Sequence, residues 1–386
     1  MIPAPTPAET PRAEWSHGRD GLASLRDEWD GLASECARES VFHRHAWAMA
    51  WAEAFSAYEI ETLALRAGRP LAILAWVRWP GSVLGVPVRR FALLGGIPTG
   101  TTPRSRAAAL LCRDLRWGWG ATTPLLVASL ERRRWLELAL LESSRTLRPD
   151  LMQMQGLDPE LAPAGAQATS REPDWVAASG GTSAGRGRLS KRSQKRLGAG
   201  LESLRARSGF EWSVVPGARL AERDLAELEE LERKSKKAAA GASILTSGPT
   251  NRAFLARLLE REPTCRVGRM RVGGHLIAWA LGLRAGSRGE GLLLAHDPAF
   301  DDCYPGLLAY LLVEEALDGE SPLTSYGLGR GEDWWKTDRL LAHAEPRVDA
   351  TIFGSSARGA LLRSLHSRVA AWRGRLRDPA PIERAS

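Results

Sequence analysis

Cysteine is scarce in this 386-residue chain: Cys36, Cys112, Cys265 and Cys303 stand far apart, and no two form a C-x-x-C pair. That spacing argues against a disulfide framework or a zinc ribbon and for the reduced thiols of a cytoplasmic protein. No metal site is expected. Long apolar runs are also missing, since none approaches the roughly 20 residues that cross a bilayer. The segment Met1 to Glu14 is rich in proline and alanine and has neither a basic start nor an apolar core. It does not read as a secretory signal, and residues 1–16 are expected to form a flexible tail.

What is present is the composition of a soluble globular protein, with 44% hydrophobic and 25% charged residues. The length suits two domains better than one. A net charge of +8 and a pI near 9.7, the excess mostly arginine, favour a phosphate-bearing ligand, a nucleic acid or an acidic membrane surface as partner. Leu22, Leu25, Trp29 and Leu32, then Trp47, Trp51 and Phe55, recur at helical spacing, which makes these aromatic residues core rather than a base-stacking platform. Ile60 to Arg66 and Leu71 to Trp79 flank Gly68-Arg69-Pro70 as a hairpin. Helices are expected around Ser105 to Leu115 and Pro124 to Arg132, while Trp135 to Leu141 fits either strand or helix.

From Asp158 to Gly187 the composition shifts to Pro, Ala, Gly, Ser and Thr and periodicity disappears. A linker is expected there, 158–187, between an N-terminal domain of residues 17–157 and a C-terminal domain of residues 188–354. The second half then repeats the plan of the first. A basic helix opens at Ser190, a strand runs from Phe210 to Val215, and helices follow at Glu222 to Lys237 and Asn251 to Arg261. A hairpin turns at Gly273-Gly274. A helix from Ala357 ends the chain, with Leu361, Leu365, Val369, Trp372 and Leu376 on one stripe and arginines around it. This basic segment, 355–386, is suited either to its own domain or to an acidic membrane surface.

The chemistry concentrates between Gly289 and Lys336. An apolar strand ends on His296-Asp297, a polar loop follows, Tyr304-Pro305-Gly306 opens an amphipathic helix, and a second strand ends on Gly329-Arg330-Gly331. This is one βαβ unit, and its crossover makes the strands parallel. Their carboxyl ends then share one side of the sheet with the helix start, where an anion such as a pyrophosphate is favoured.

On these residues the chain resembles the GNAT superfamily, and within it the cellulose-biosynthesis-type (CelD-like) N-acyltransferases, relatives of the FemABX aminoacyl transferases. The stretches that carry the resemblance are Val41-Phe42-His43 with Trp47 and Trp51, Leu189-Ser190-Lys191, and Leu231-Glu232 with Ser235 and Lys237. The strongest are His296-Asp297 with Tyr304-Pro305-Gly306, and Gly329-Arg330-Gly331 with Trp335-Lys336. Three departures stand out. Ser235-Lys236-Lys237 replaces Ser-Trp-Lys, His296-Asp297 replaces Tyr-Asp, and Gly327 stands where an aspartate is usual.

The resemblance implies an α/β fold of mixed sheets, two tandem GNAT-like units with a C-terminal helix, and an acyl-CoA bound by the second. It implies transfer of an acetyl or longer acyl group to an amine of a small molecule or sugar. Leu294, Ala295, Tyr304, Pro305, Gly306 and Leu307 are the expected CoA contacts. His296 or Asp297 is expected to take the proton and Tyr304 to give one to the departing thiolate. Lys336 is expected beside them among the catalytic residues, with it and Arg330 able to bind an anionic substrate group or the CoA phosphates. Ser235, Lys237, Arg330 and Trp335 are the expected substrate contacts. Two rival readings stand beside this: an aminoacyl transfer from charged tRNA, the one nucleic acid the sequence admits, and a scaffold that retains the fold without activity.

Overall fold

A computed structural model gives the fold, and it describes residues 10–36, 40–79, 82–83, 86–95, 97–98, 117–119, 126–128, 131–179, 189–239, 243, 245–330, 336 and 340–377. Most of its strands join one mixed sheet. The N-terminal half contributes β1 (Arg12–His17), β2 (Glu59–Ala67), β3 (Arg69–Trp79), β4 (Arg90–Leu93), β5 (Leu126–Val127) and β6 (Leu151–Leu157). Strands β1 to β4 pair antiparallel in chain order, β4 and β6 pair parallel, and β5 pairs with β3. Among the described residues the helices of this half are α1 (Gly18–Ala23), α2 (Arg26–Glu35), α3 (His45–Ala54) and α4 (Arg132–Leu147).

After β7 (Gln167–Ala178) and α5 (Lys191–Arg205), the C-terminal half repeats the pattern. Its elements are β8 (Glu211–Pro216), α6 (Glu222–Lys234), α7 (Pro249–Arg261), β9 (Arg266–Val272), β10 (His275–Ala285), β11 (Arg288–His296), α8 (Pro305–Glu320) and β12 (Ser325–Arg330). Strands β8 to β11 are antiparallel neighbours, and β11 and β12 are parallel. The chain continues through β13 (His343–Phe353) into α9 (Ala357–Arg377).

The two halves exchange their last strands. β13 pairs with β6 of the first half, β7 pairs with β12 of the second, and β7 and β13 pair with each other. The sheet order is therefore β1-β2-β3-β4-β6-β13-β7-β12-β11-β10-β9-β8. Helices α3 and α7, the counterparts of one another, close the other side of the joint. Trp47 meets Phe254 edge-on with ring centroids 5.0 Å apart, and Arg44 pairs with the buried Glu262 at 2.9 Å. Trp29, Trp47 and Trp51 are core, as their spacing predicts.

Both hairpins form where glycine predicts them: Gly68, between the paired Ala67 and Arg69, has φ +66°, and Gly273 and Gly274 have φ +56° and +79°, the signs their tight two-residue turn needs.

Several expectations are corrected. Residues 12–17 are an edge strand on β2 rather than tail. The linker expected over 158–187 contains β7, a strand at the centre of the sheet. Its first part, Gln167 to Asp174, is mostly polar, and its pairing shifts register between Arg171 and Asp174, around Pro173, a residue that cannot donate to the ladder. Leu126–Val127 is strand where helix is expected, α4 resolves the ambiguous Trp135 to Leu141 as helix, and α6 stops at Lys234. In α9 it is Leu362 that packs, on Leu151 and Phe353, while Leu361 is 57% exposed. The helix expected over Ser105 to Leu115 lies outside the described residues. Among the described residues no helix is long and apolar enough to cross a membrane.

Candidate active site

β11, α8 and β12 form the parallel unit that the sequence predicts, but the two strands stay together only briefly. Arg288 faces Ser325, Gly289 faces Tyr326 and Glu290 faces Gly327; beyond that register their pairing ends. β11 continues on β10 as far as His296, opposite Ala278, and β12 continues on β7 as far as Arg330, opposite Asp174. The strands thus part into a wedge that opens towards their carboxyl ends.

Glycine shapes the apex. The Tyr310 side chain comes up from α8 against Gly291, where a Cβ would lie 2.0 Å from its hydroxyl oxygen, and that hydroxyl donates to the Gly327 carbonyl at 2.7 Å. Tyr326 packs edge-on against Tyr310 and fills the space beside Gly289. One tyrosine of α8 therefore ties both strands together where they begin to diverge.

On β12, a Cβ at Gly327 would lie 1.7 Å from the Glu290 carboxylate. Glu290 is only 7% exposed. It accepts from Arg288 Nε at 2.7 Å, and Arg288 also reaches Glu345 at 3.5 Å. Glu345 meets Arg347 at 3.4 Å, and Arg347 in turn holds Asp174 at 2.7 Å and Asp158. Burial raises the Glu290 carboxyl above the ordinary carboxylate range, against the pull of Arg288. Sequence reasoning missed this chain of charges. Its one signal is the placing of Arg288 and Glu290 between glycines in an otherwise apolar strand.

The far end of the wedge gathers most of the expected residues. His296 Nε2 meets Asp301 Oδ1 at 2.7 Å, and Lys236 Nζ donates to Asp301 Oδ2 at 2.5 Å. Lys236 first, and His296 after it, hold the Asp301 carboxyl below its usual range. Asp297 caps the turn that follows it, accepting from the Ala299 N–H at 2.9 Å. Tyr304 sits in the left-handed region at φ +53° and turns the chain into α8, which begins at Pro305. A Cβ at Gly306 would lie 2.8 Å from His296 Nδ1. Lys237 donates to the Leu294 carbonyl at 3.2 Å. Ala295 is buried, and Leu294 and Leu307 are half-buried.

The remaining expected residues are more dispersed. Ser235 turns inward, its hydroxyl donating to the Glu232 carbonyl at 2.6 Å. Lys336 is 2% exposed and donates to the Gly329 carbonyl at 3.3 Å, on the β12 side of the wedge. Arg330 is placed by its backbone, and Trp335 lies outside the described residues. Among the described residues no group of His, Cys, Asp and Glu is arranged to hold a metal ion.

Residues 191–337 match the acetyltransferase (GNAT) domain family. That segment runs from α5 through the whole wedge to the residue after Lys336. Solved structures extend the likeness over both halves. FemX superposes with a TM-score of 0.57 at 10% identity, covering 89% of this chain and 98% of that one. L-PGS from Bacillus licheniformis gives 0.51 at 9% identity, covering 89% and 96%. A tandem GNAT protein from the clavulanic acid biosynthesis pathway gives 0.50 at 12% identity, covering 90% and 100%. Identities this low speak for the fold alone, and the fold is a tandem GNAT fold. A search of curated proteins finds no match.

Proposed function

We propose that this chain is an N-acyltransferase of the CelD-like kind, which moves an acetyl or longer acyl group from acyl-CoA to an amine on a small molecule or sugar, in polysaccharide or cell-envelope metabolism. The observation that carries the reading is the wedge: parallel strands that part after Glu290 and Gly327, with a helix starting at the open end of one of them. The free N–H groups of Gly306 and Leu307 suit a pyrophosphate, and the helix dipole adds to the attraction. Lys236 and Lys237 stand beside this corner. From His296 back to Glu290 is six residues, roughly 20 Å of strand, along which an extended pantetheine arm can lie. The thioester then falls at the apex.

In this reading His296, Asp297 and Tyr304 belong to the phosphate end rather than to proton transfer. Asp297 is engaged as a cap, and the ring of His296 is held between Asp301 and Gly306. Lys336 lies across the wedge from them.

One observation favours an aminoacyl-tRNA as donor instead. Lys191, Arg192, Lys195 and Arg196 are all exposed on the first turns of α5, whose Gly200 packs on the Cys303 carbonyl beside the same corner. Thermal-shift measurements separate the readings. Acetyl-CoA or a longer acyl-CoA is expected to raise the melting temperature, by about 2.7 kcal/mol of added stability at a hundredfold excess over Kd. Strongly salt-dependent tRNA binding without any response to acyl-CoA overturns the CoA reading. A protein that answers to neither donor is the scaffold.

A further inference from the structure

We infer that Glu290 is the base of the reaction, the carboxylate that takes the proton of the acceptor ammonium at the apex of the wedge. The inference rests on the acyl-transfer reading and names a residue that the sequence did not single out.

Two observations lead to it. Glu290 stands in the last register at which β11 and β12 pair, so the backbone opens immediately beyond it. Its carboxylate covers Gly327 so closely that no side chain fits there, and position 327 is where a carboxylate is expected from the resemblance. An acid is thus kept at this spot, presented from the neighbouring strand. Glu290, Glu345, Asp174 and Asp158 are joined with Arg288 and Arg347 in one ionic network beside this spot.

The groups that set the charge of Glu290 are Arg288 on its own strand, Asp174 on β7 and Glu345 on β13, with burial the largest influence and in the direction that suits a base working near neutrality. The step balances as follows. Glu290 accepts one proton from the ammonium, and the freed amine attacks the thioester carbon to give a tetrahedral adduct. The carbon–sulfur bond then breaks, the thiolate takes the second proton from the new amide nitrogen, and Glu290 returns its proton to solvent.

The test combines Glu290→Gln, Glu290→Ala and the double variant Glu290→Ala with Gly327→Asp, which moves the carboxylate back to β12. Transfer from acetyl-CoA is assayed against glucosamine, ethanolamine, lysine and putrescine, and the best acceptor is kept. Glu290→Gln is expected to lower kcat by roughly 10²–10⁴-fold while acetyl-CoA still shifts the melting temperature. The double variant is expected to recover about tenfold or more over Glu290→Ala, with the acidic limb of its pH–rate profile displaced from that of the parent. A Glu290→Gln protein that keeps the parent kcat overturns the inference and leaves the acyl-transfer reading standing. So does a folded, donor-binding double variant no faster than Glu290→Ala. A parent protein that binds no acyl-CoA and acylates no amine ends both.

Discussion

The hydroxyl of Tyr310 and the carbonyl of Gly327 are hydrogen-bonded at 2.7 Å, which fixes the point at which β11 and β12 separate. The bond exists only because Gly291 has no side chain, since a Cβ there would lie 2.0 Å from the Tyr310 oxygen. Gly291→Ala forces the ring aside and is expected to cost about 1–3 kcal/mol as an overpacked site. Tyr310→Phe keeps the packing but removes the hydrogen bond to a buried carbonyl, at about 0.5–1.5 kcal/mol. Urea unfolding reads both. Acetyl-CoA affinity is expected to fall more in the alanine variant, because the apex itself changes shape.

The corner at the start of α8 has a similar dependence on glycine. A Cβ at Gly306 would stand 2.8 Å from His296 Nδ1, and the ring is already held by Asp301 on its other nitrogen. Gly306→Val pushes branched carbon into the space where the helix N–H groups would meet a pyrophosphate. The expected result is a folded protein whose melting temperature no longer responds to acetyl-CoA. A response equal to the parent's would remove this corner from the donor site.

How much of this was legible in the sequence depends on what each element answers to. Strand β11, helix α8 and strand β12 could be read because glycine, proline and helical spacing are local signals. Strand β7 could not. It is central, shifts register around Pro173, and carries Asp174 towards Arg347 of β13, a partner 173 residues away. Neither a composition shift nor a period can report a pairing at that distance. The same holds for the site. His296 and Tyr304 are visible as the edges of a loop, whereas Glu290 gains its meaning from Gly327 on the neighbouring strand, which sequence order does not disclose.

Arg347 offers a direct test of how the exchanged strands are held. It is buried on β13 and binds Asp174 of β7, Glu345 of its own strand, and Asp158 at the end of β6. Arg347→Met preserves most of the volume and leaves three carboxylates short of their cation. Breaking a buried ionic cluster from one side is expected to cost about 3–5 kcal/mol. An exposed pair such as Arg133 with Glu137 is expected to cost less than about 1 kcal/mol when it is cut. Denaturant midpoints of the two variants, measured side by side, check the contrast.

His43 makes stability depend on pH in a direction that can be worked out. It is 6% exposed, on the turn before α3, and its Nδ1 has no hydrogen-bond partner among the described residues. Burial foremost, then the charge of Arg132, lowers its pKa from 6.5 to about 4, with Arg347 and Arg288 adding to the effect and Asp158 opposing it. In the unfolded chain the ring takes a proton once the pH falls below 6.5, while the folded protein refuses it until about 4. Between those values the unfolded state binds the extra proton, so stability drops as the pH falls. The whole window is worth about 3 kcal/mol, at about 1.4 kcal/mol per pH unit. Glu290, whose carboxyl is raised, contributes the opposite slope, so the total alone does not isolate the histidine. The difference between the parent and His43→Leu does. That difference is expected to be flat above about pH 7 and to move by about 2 kcal/mol in favour of the leucine variant by about pH 5. A difference that stays constant across the range would mean that the imidazole takes its proton in the fold as readily as in the unfolded chain.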